Sequence, residues 1–174
     1  MKRRTFLVAG GTLAVGAAGA ALSLRGMGST QDYDGQMARL REALAAQPEA
    51  EDLVRFATLA ANGHNTQPWR FRLAPGRIEV RPDFNRRTPV VDPDDHHMFV
   101  SLGCAATNLA LAAQARGLPG ELRFEAGPQP HLALEYQAGS RIASPLFDAI
   151  TLRQSTRAEY DGRLAPARDL AALA

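Results

Sequence analysis

Ala61-Asn62-Gly63-His64-Asn65-Thr66-Gln67-Pro68-Trp69-Arg70-Phe71 joins a helix end, a turn and the start of a strand in one short segment. Upstream, Leu53, Phe56, Ala57 and Ala60 fall on one face of a helix predicted from about Glu51 to Ala61. Asn62-Gly63-His64-Asn65 stops it, because Gly and Asn adopt the left-handed conformation that ends helices. Downstream, Pro68 to Leu73 and Arg77 to Arg81 read as strands joined at the turn dipeptide Pro75-Gly76. Phe71, Leu73, Ile78 and Val80 alternate with Arg72, Arg77, Glu79 and Arg81, the period of a half-buried hairpin. The turn between helix and hairpin leaves backbone N–H and C=O groups that need partners. Asn65 and Gln67 each offer a donor and an acceptor, which suits the edge of a uracil-like ring.

Further out, Gly26 to Asp34 is polar and reads as a linker, and Met37, Leu40, Leu44 and Ala45 predict a helix over Gln36 to Ala46. A long helix is expected from about Pro93 to Arg116, entered through Asp92 and stopped by Gly117-Leu118-Pro119-Gly120. Its stripe of Leu102, Ala105, Ala106, Leu109, Ala112 and Ala113 implies close packing against another helix. Glu121 to Ala126 and His131 to Tyr136 form a second strand pair across Gly127-Pro128, Ser144-Pro145 opens a short helix to about Thr151, and Pro166 to Ala174 begins another. Helices mixed with hairpins predict an α+β layer fold. No internal repeat is present.

The formal charge of +2 is misleading. Lys2, Arg3, Arg4 and Arg25 precede the globular part, and without them 16 basic residues face 18 acidic ones. That balance gives no electrostatic case for nucleic acid or a membrane surface. Cys104 is the only cysteine, so no intrachain disulfide holds the fold, and its Ala/Leu-rich surroundings suit a small buried hydrophobe. In Asp94-Asp95-His96-His97, adjacent helical residues diverge by about 100°, so no metal site is expected there. Acids at a helix start are better explained by capping and the helix dipole. No Ser-His-Asp set, P-loop or Gly-x-Gly-x-x-Gly occurs, and no catalytic acid, base or nucleophile is assigned.

Arg153-Gln154-Ser155-Thr156-Arg157 is the second segment with chemistry in it. On a continuous helix Ser155 would point away from Arg153 and Arg157. In an extended turn after the short helix all three converge, and two guanidiniums with a hydroxyl suit a phosphate. Taken alone, the same pattern also describes a solvated basic turn.

Gly63-His64-Asn65-Thr66-Gln67-Pro68-Trp69-Arg70-Phe71 resembles the Ser-Gly-x-Asn-x-Gln-Pro-Trp-x-Phe segment of the FMN-dependent nitroreductase family. Arg153-Gln-Ser155-Thr-Arg157-Ala-Glu-Tyr160 resembles that family's phosphate-binding opening, and Gly103 to Leu118 is similar to its alanine-rich central helix. The resemblance runs from about Glu51 to Leu164. One departure is Ala61-Asn62, where the family usually has Pro-Ser. The phosphate motif follows the central helix here, an order that resembles the exported, Acg-like branch, in which two nitroreductase-like halves are fused.

That resemblance implies a nitroreductase-like fold present only in part: residues 35–143 as the first half and 144–174 as the start of a second. It implies FMN held by Arg153, Ser155 and Arg157 at the phosphate and by Asn62, Gly63, Asn65 and Gln67 at the isoalloxazine. The implied activity moves a hydride from NAD(P)H through the flavin to a nitro or quinone-like small-molecule acceptor, in a homodimer or a pseudo-dimer within one chain. A flavin-sequestering protein without turnover and a cofactor-free exported interaction module are the alternative expectations.

Met1 to about Gly26 opens Lys2-Arg3-Arg4-Thr5-Phe6-Leu7, which resembles a twin-arginine export signal, and a weakly apolar stretch runs from Leu7 to Leu24. Glycines weaken that stretch as a membrane helix. Ala18-Gly19-Ala20 offers a small-x-small cleavage pattern, and both cleavage and retention as an anchor are compatible with it. The resemblance implies passage through the twin-arginine translocase to the periplasm or the outer face of the inner membrane.

Overall fold

A computed structural model of the chain describes residues 29–156 and 158–171. The expected export segment and Arg157 lie outside the described residues.

The first helix, α1 (Thr30–Leu40), sits N-terminal to its expected place. The Asp32 N–H donates to Ser29 Oγ at 3.0 Å and the Ser29 N–H donates back to the Asp32 carboxylate at 3.2 Å. This reciprocal cap starts the helix inside the stretch expected to be a linker, and Gly35 is carried within it. Beyond Leu40 the expected helix gives way to irregular chain. Its carbonyls find side-chain donors instead: Arg55 reaches Leu40 and Glu42, and Arg116 reaches Leu44.

α2 (Ala50–Thr58) buries Leu53, Phe56 and Ala57. The hairpins are β1 (Trp69–Ala74) with β2 (Arg77–Pro82), and β3 (Gly120–Glu125) with β4 (His131–Tyr136). They join through β2 and β4 into one antiparallel sheet of order β1-β2-β4-β3, with Ile78 opposite Leu134 and Val80 opposite Leu132. The tight turn of the first hairpin uses Gly76 at φ 70°, where its carbonyl also accepts from the Tyr136 N–H.

The long helix α3 (His96–Ala115) lies between this sheet and α2. Leu102, Ala105, Ala106, Leu109, Ala112 and Ala113 are fully enclosed, as the stripe of alanines implies. Each enclosed leucine contributes about 1.5–3 kcal/mol relative to exposure. Burial on two sides explains why α3 is long and apolar enough to cross a membrane by composition. It starts later than Pro93, because Asp95 is held in the left-handed region at φ 61° by a two-pronged Arg87 contact of 2.7 and 2.8 Å. A short α4 (Pro145–Ile150) stacks Phe147 on Phe56 at 5.5 Å, and α5 (Ala167–Ala171) follows.

The face of the sheet away from α3 is charged. Arg77 bridges Glu79, Glu125 and Glu135, and Arg81 bonds Glu79 from the other side. Burial pushes the Glu79 carboxyl up, yet the Arg81 and Arg77 hydrogen bonds outweigh it and hold the group below its ordinary value.

Candidate functional site

Among the described residues, three of the four non-glycine residues with left-handed backbone sit in the 62–67 turn: His64 at φ 51°, Asn65 at 56° and Gln67 at 47°. Such conformations each cost about 1–3 kcal/mol and persist where the surroundings enforce them. Here the enforcement is visible. The Gln67 N–H donates to Asn62 Oδ1 at 2.8 Å, Asn62 Nδ2 donates to the Ala60 carbonyl at 3.3 Å, and the Thr66 N–H and hydroxyl both donate to the Gly63 carbonyl. Arg86 donates to the Thr66 carbonyl at 3.0 Å.

The turn is also tied to the core. The Gly63 N–H donates to Ser101 Oγ at 3.1 Å, and the Ser101 hydroxyl donates to the His97 carbonyl at 2.6 Å. Ser101 is only 3% exposed, so this part-buried bond ties the turn to a fixed point on α3. Asn62 and Gly63 are therefore spent within the turn, whereas the amide side chains of Asn65 and Gln67 are exposed.

Between this turn and the start of α3 lies a cleft of about 140 Å³ lined by His64, Arg86, Thr88, Asp92 and His97 among others. Asp92, 5% exposed, accepts from the His97 and Met98 N–H groups at 2.9 and 3.0 Å and from His97 Nδ1 at 3.1 Å. Burial pushes its carboxyl up, but those N–H donors win and keep it below the ordinary aspartate range. With Nδ1 turned to Asp92, Nε2 is the ring nitrogen of His97 left for a ligand in the cleft.

Beyond a turn at Thr151 and Leu152 the described residues of the second segment have no regular secondary structure. Arg153 NH1 donates to Ser155 Oγ at 3.3 Å, while Nε and NH2 both donate to the Leu59 carbonyl at 3.3 and 3.0 Å. Leu59 is the C-cap of α2, just before the turn. Arg153 thus brings the phosphate-type segment against the helix end that leads into Asn62, and Arg157 lies outside the described residues. Among the described residues, one N–H on each terminal nitrogen of Arg153 has no partner. Two open guanidinium donors beside a hydroxyl fit a phosphate, and exposed amides on the neighbouring turn fit a polar ring edge.

Aligned over 137 residues, the chain is 31% identical to proteins named NAD(P)H nitroreductases in two strains of Mycobacterium tuberculosis. The chain is similar to the nitroreductases. The match covers 73% of this chain and 39% of each relative, so the chain spans about two fifths of the length of the curated relatives it matches. No family model matches. The mixed helix and antiparallel-sheet architecture is that of an α+β fold, in keeping with nitroreductase-like relatives.

Sequence reasoning missed Ser101, Asp92 with His97, Arg86, and the Leu59 carbonyl as parts of this site. A serine facing the apolar stripe of α3 was the one local signal available, since a buried hydroxyl needs a partner.

Proposed function

We propose that this chain is the flavin-binding part of a nitroreductase-type oxidoreductase that uses FMN. The observation that carries the reading is the docking of Arg153 on Leu59, which sets an open guanidinium and the Ser155 hydroxyl beside the helix end leading to the Asn62–Gln67 turn. Arg153, Ser155 and Arg157 would hold the phosphate, and Asn65 and Gln67 would meet the ring edge, with Asn62 and Gly63 building the turn that presents them. Bound FMN would supply two-electron transfer between NAD(P)H and a nitro or quinone-type acceptor. The chain's own part is to fix the cofactor's two ends on rigid elements and to offer the His97 cleft as the space for a small acceptor. Export in the folded, loaded state through the twin-arginine translocase to the periplasm belongs to the same proposal, as does pairing with a second half or a second copy.

Spectroscopy of the purified full chain tests it. The preparation should be yellow, release FMN on denaturation, and bleach with NADH or NADPH. A colourless protein that takes up no FMN overturns the reading. A yellow protein that neither nicotinamide can bleach replaces it with flavin sequestration, which the Lys2 to Leu7 export pattern favours because NAD(P)H is scarce outside the cytoplasm.

A further inference from the structure

Arg41 is the C-cap of α1, far in sequence from the phosphate-type segment. Its NH1 nonetheless donates to the carbonyls of Thr151 at 2.7 Å and of Arg153 at 3.1 Å. Those carbonyls belong to the chain leaving α4, whose only other anchors among the described residues are the backbone bonds of Leu152 and Arg153 to Ala149 and the Arg153 contact with Leu59. Arg153 is therefore held at both ends: its backbone by the Arg41 fork and its guanidinium by the Leu59 carbonyl. Residues 152–156 are exposed throughout, so no packing substitutes for these bonds.

Resting on the phosphate role given to this segment above, we propose that Arg41 is its positioning residue. It does not touch the phosphate. It fixes the backbone from which Arg153 and Ser155 project, so that a phosphomonoester meets donors already in place rather than ordering them on arrival. Two carbonyls on one terminal nitrogen use the planar fork of arginine; a lysine ammonium would satisfy them with looser direction.

The full chain should be titrated with FMN and with riboflavin, which differ only by the phosphate, following flavin fluorescence. Wild type should prefer FMN, and Arg153→Ala should erase that preference. Arg41→Ala should weaken FMN binding about tenfold and leave riboflavin binding unchanged. Arg41→Lys should fall between, and it decides the matter if the alanine variant does not fold. A wild-type chain that binds neither flavin overturns the FMN reading and this inference with it. Loss of the FMN preference in Arg153→Ala but full retention in both Arg41 variants overturns the positioning role alone. Equal weakening of FMN and riboflavin also overturns it, since that is the mark of general destabilisation.

Discussion

Ser101→Ala should loosen the 62–67 turn without altering any side chain proposed to hold FMN. The hydroxyl is 3% exposed and holds the Gly63 N–H at 3.1 Å while donating to the His97 carbonyl at 2.6 Å. Its removal strands a backbone donor, which costs about 1–3 kcal/mol. Alanine's better helix propensity returns up to about 0.5 kcal/mol within α3. The net loss is about 0.5–2.5 kcal/mol, the lower end applying if water reaches the half-buried Gly63 amide. Trp69 is the sole tryptophan, 8% exposed and immediately after the turn, so its fluorescence reports unfolding from the relevant place. With a urea slope of about 2 kcal/mol per molar, the midpoint should fall by about 0.3–1.3 M. Amide exchange at Gly63 should accelerate more than exchange along α3, because the turn opens locally before the core does. A loss under about 0.5 kcal/mol with unchanged Gly63 protection would refute the idea that this hydroxyl holds the turn.

Arg153→Ala combined with Arg157→Ala should abolish FMN retention and leave the thermal midpoint near wild type; unchanged flavin content would sink the phosphate assignment. Gly120→Ala should destabilise strongly, because a Cβ there runs into the Glu135 carbonyl and lies 2.9 Å from Tyr136 Cα, and a denaturation midpoint within error of wild type would contradict that geometry. Glu79 has its carboxyl held below the ordinary 4.5, so its contribution is present above that value and is lost as pH falls through the folded-state value. Glu79→Gln should therefore cost stability at neutral pH and flatten, without abolishing, the acid limb of the stability curve, since Glu125 and Asp83 are lowered too. An acid limb identical to wild type in that variant would exclude the role.

Local patterns were readable and distant ones were not. Helix α2, both hairpins and the alanine stripe of α3 follow from period and breaker residues within a few positions, but α2 ends at Thr58 with Leu59 as its cap, before the Asn62-Gly63 expected to stop it. The early start of α1 was also locally encoded, in a serine followed three residues later by an acid, but the polar composition around it masked the cap. The late start of α3 was not: Asp95 adopts its left-handed backbone in the grip of Arg87, which a periodicity cannot show. The site divides the same way. Its two motif segments were visible, yet the bonds that assemble them join residues 38, 94 and 110 positions apart, at Ser101 to Gly63, Arg153 to Leu59 and Arg41 to Thr151.

Those bonds also explain how this chain spends its charge. Lys2 is the only lysine, so every basic residue of the folded part is an arginine. On the sheet, its edge and the approach to α3, Arg70, Arg72, Arg77, Arg81, Arg87 and Arg123 face carboxylates and are neutralised in place. Away from the sheet strands, Arg41, Arg55, Arg116, Arg141 and Arg153 bond backbone carbonyls instead, at Thr151, Leu40, Leu44, Ala46 and Leu59. A carbonyl fixes a guanidinium but does not cancel its charge, and no carboxylate lies within ion-pair distance of these five among the described residues. A chain whose charges nearly balance thus keeps several guanidiniums that hold irregular backbone rather than a carboxylate, although Glu42, Glu49, Glu51, Asp52 and Asp148 lie on or beside the same elements. A small anion reaching Arg153 would therefore meet a guanidinium that no carboxylate among the described residues pairs with, the local condition that the proposed phosphate role needs in a chain with no case for a polyanion.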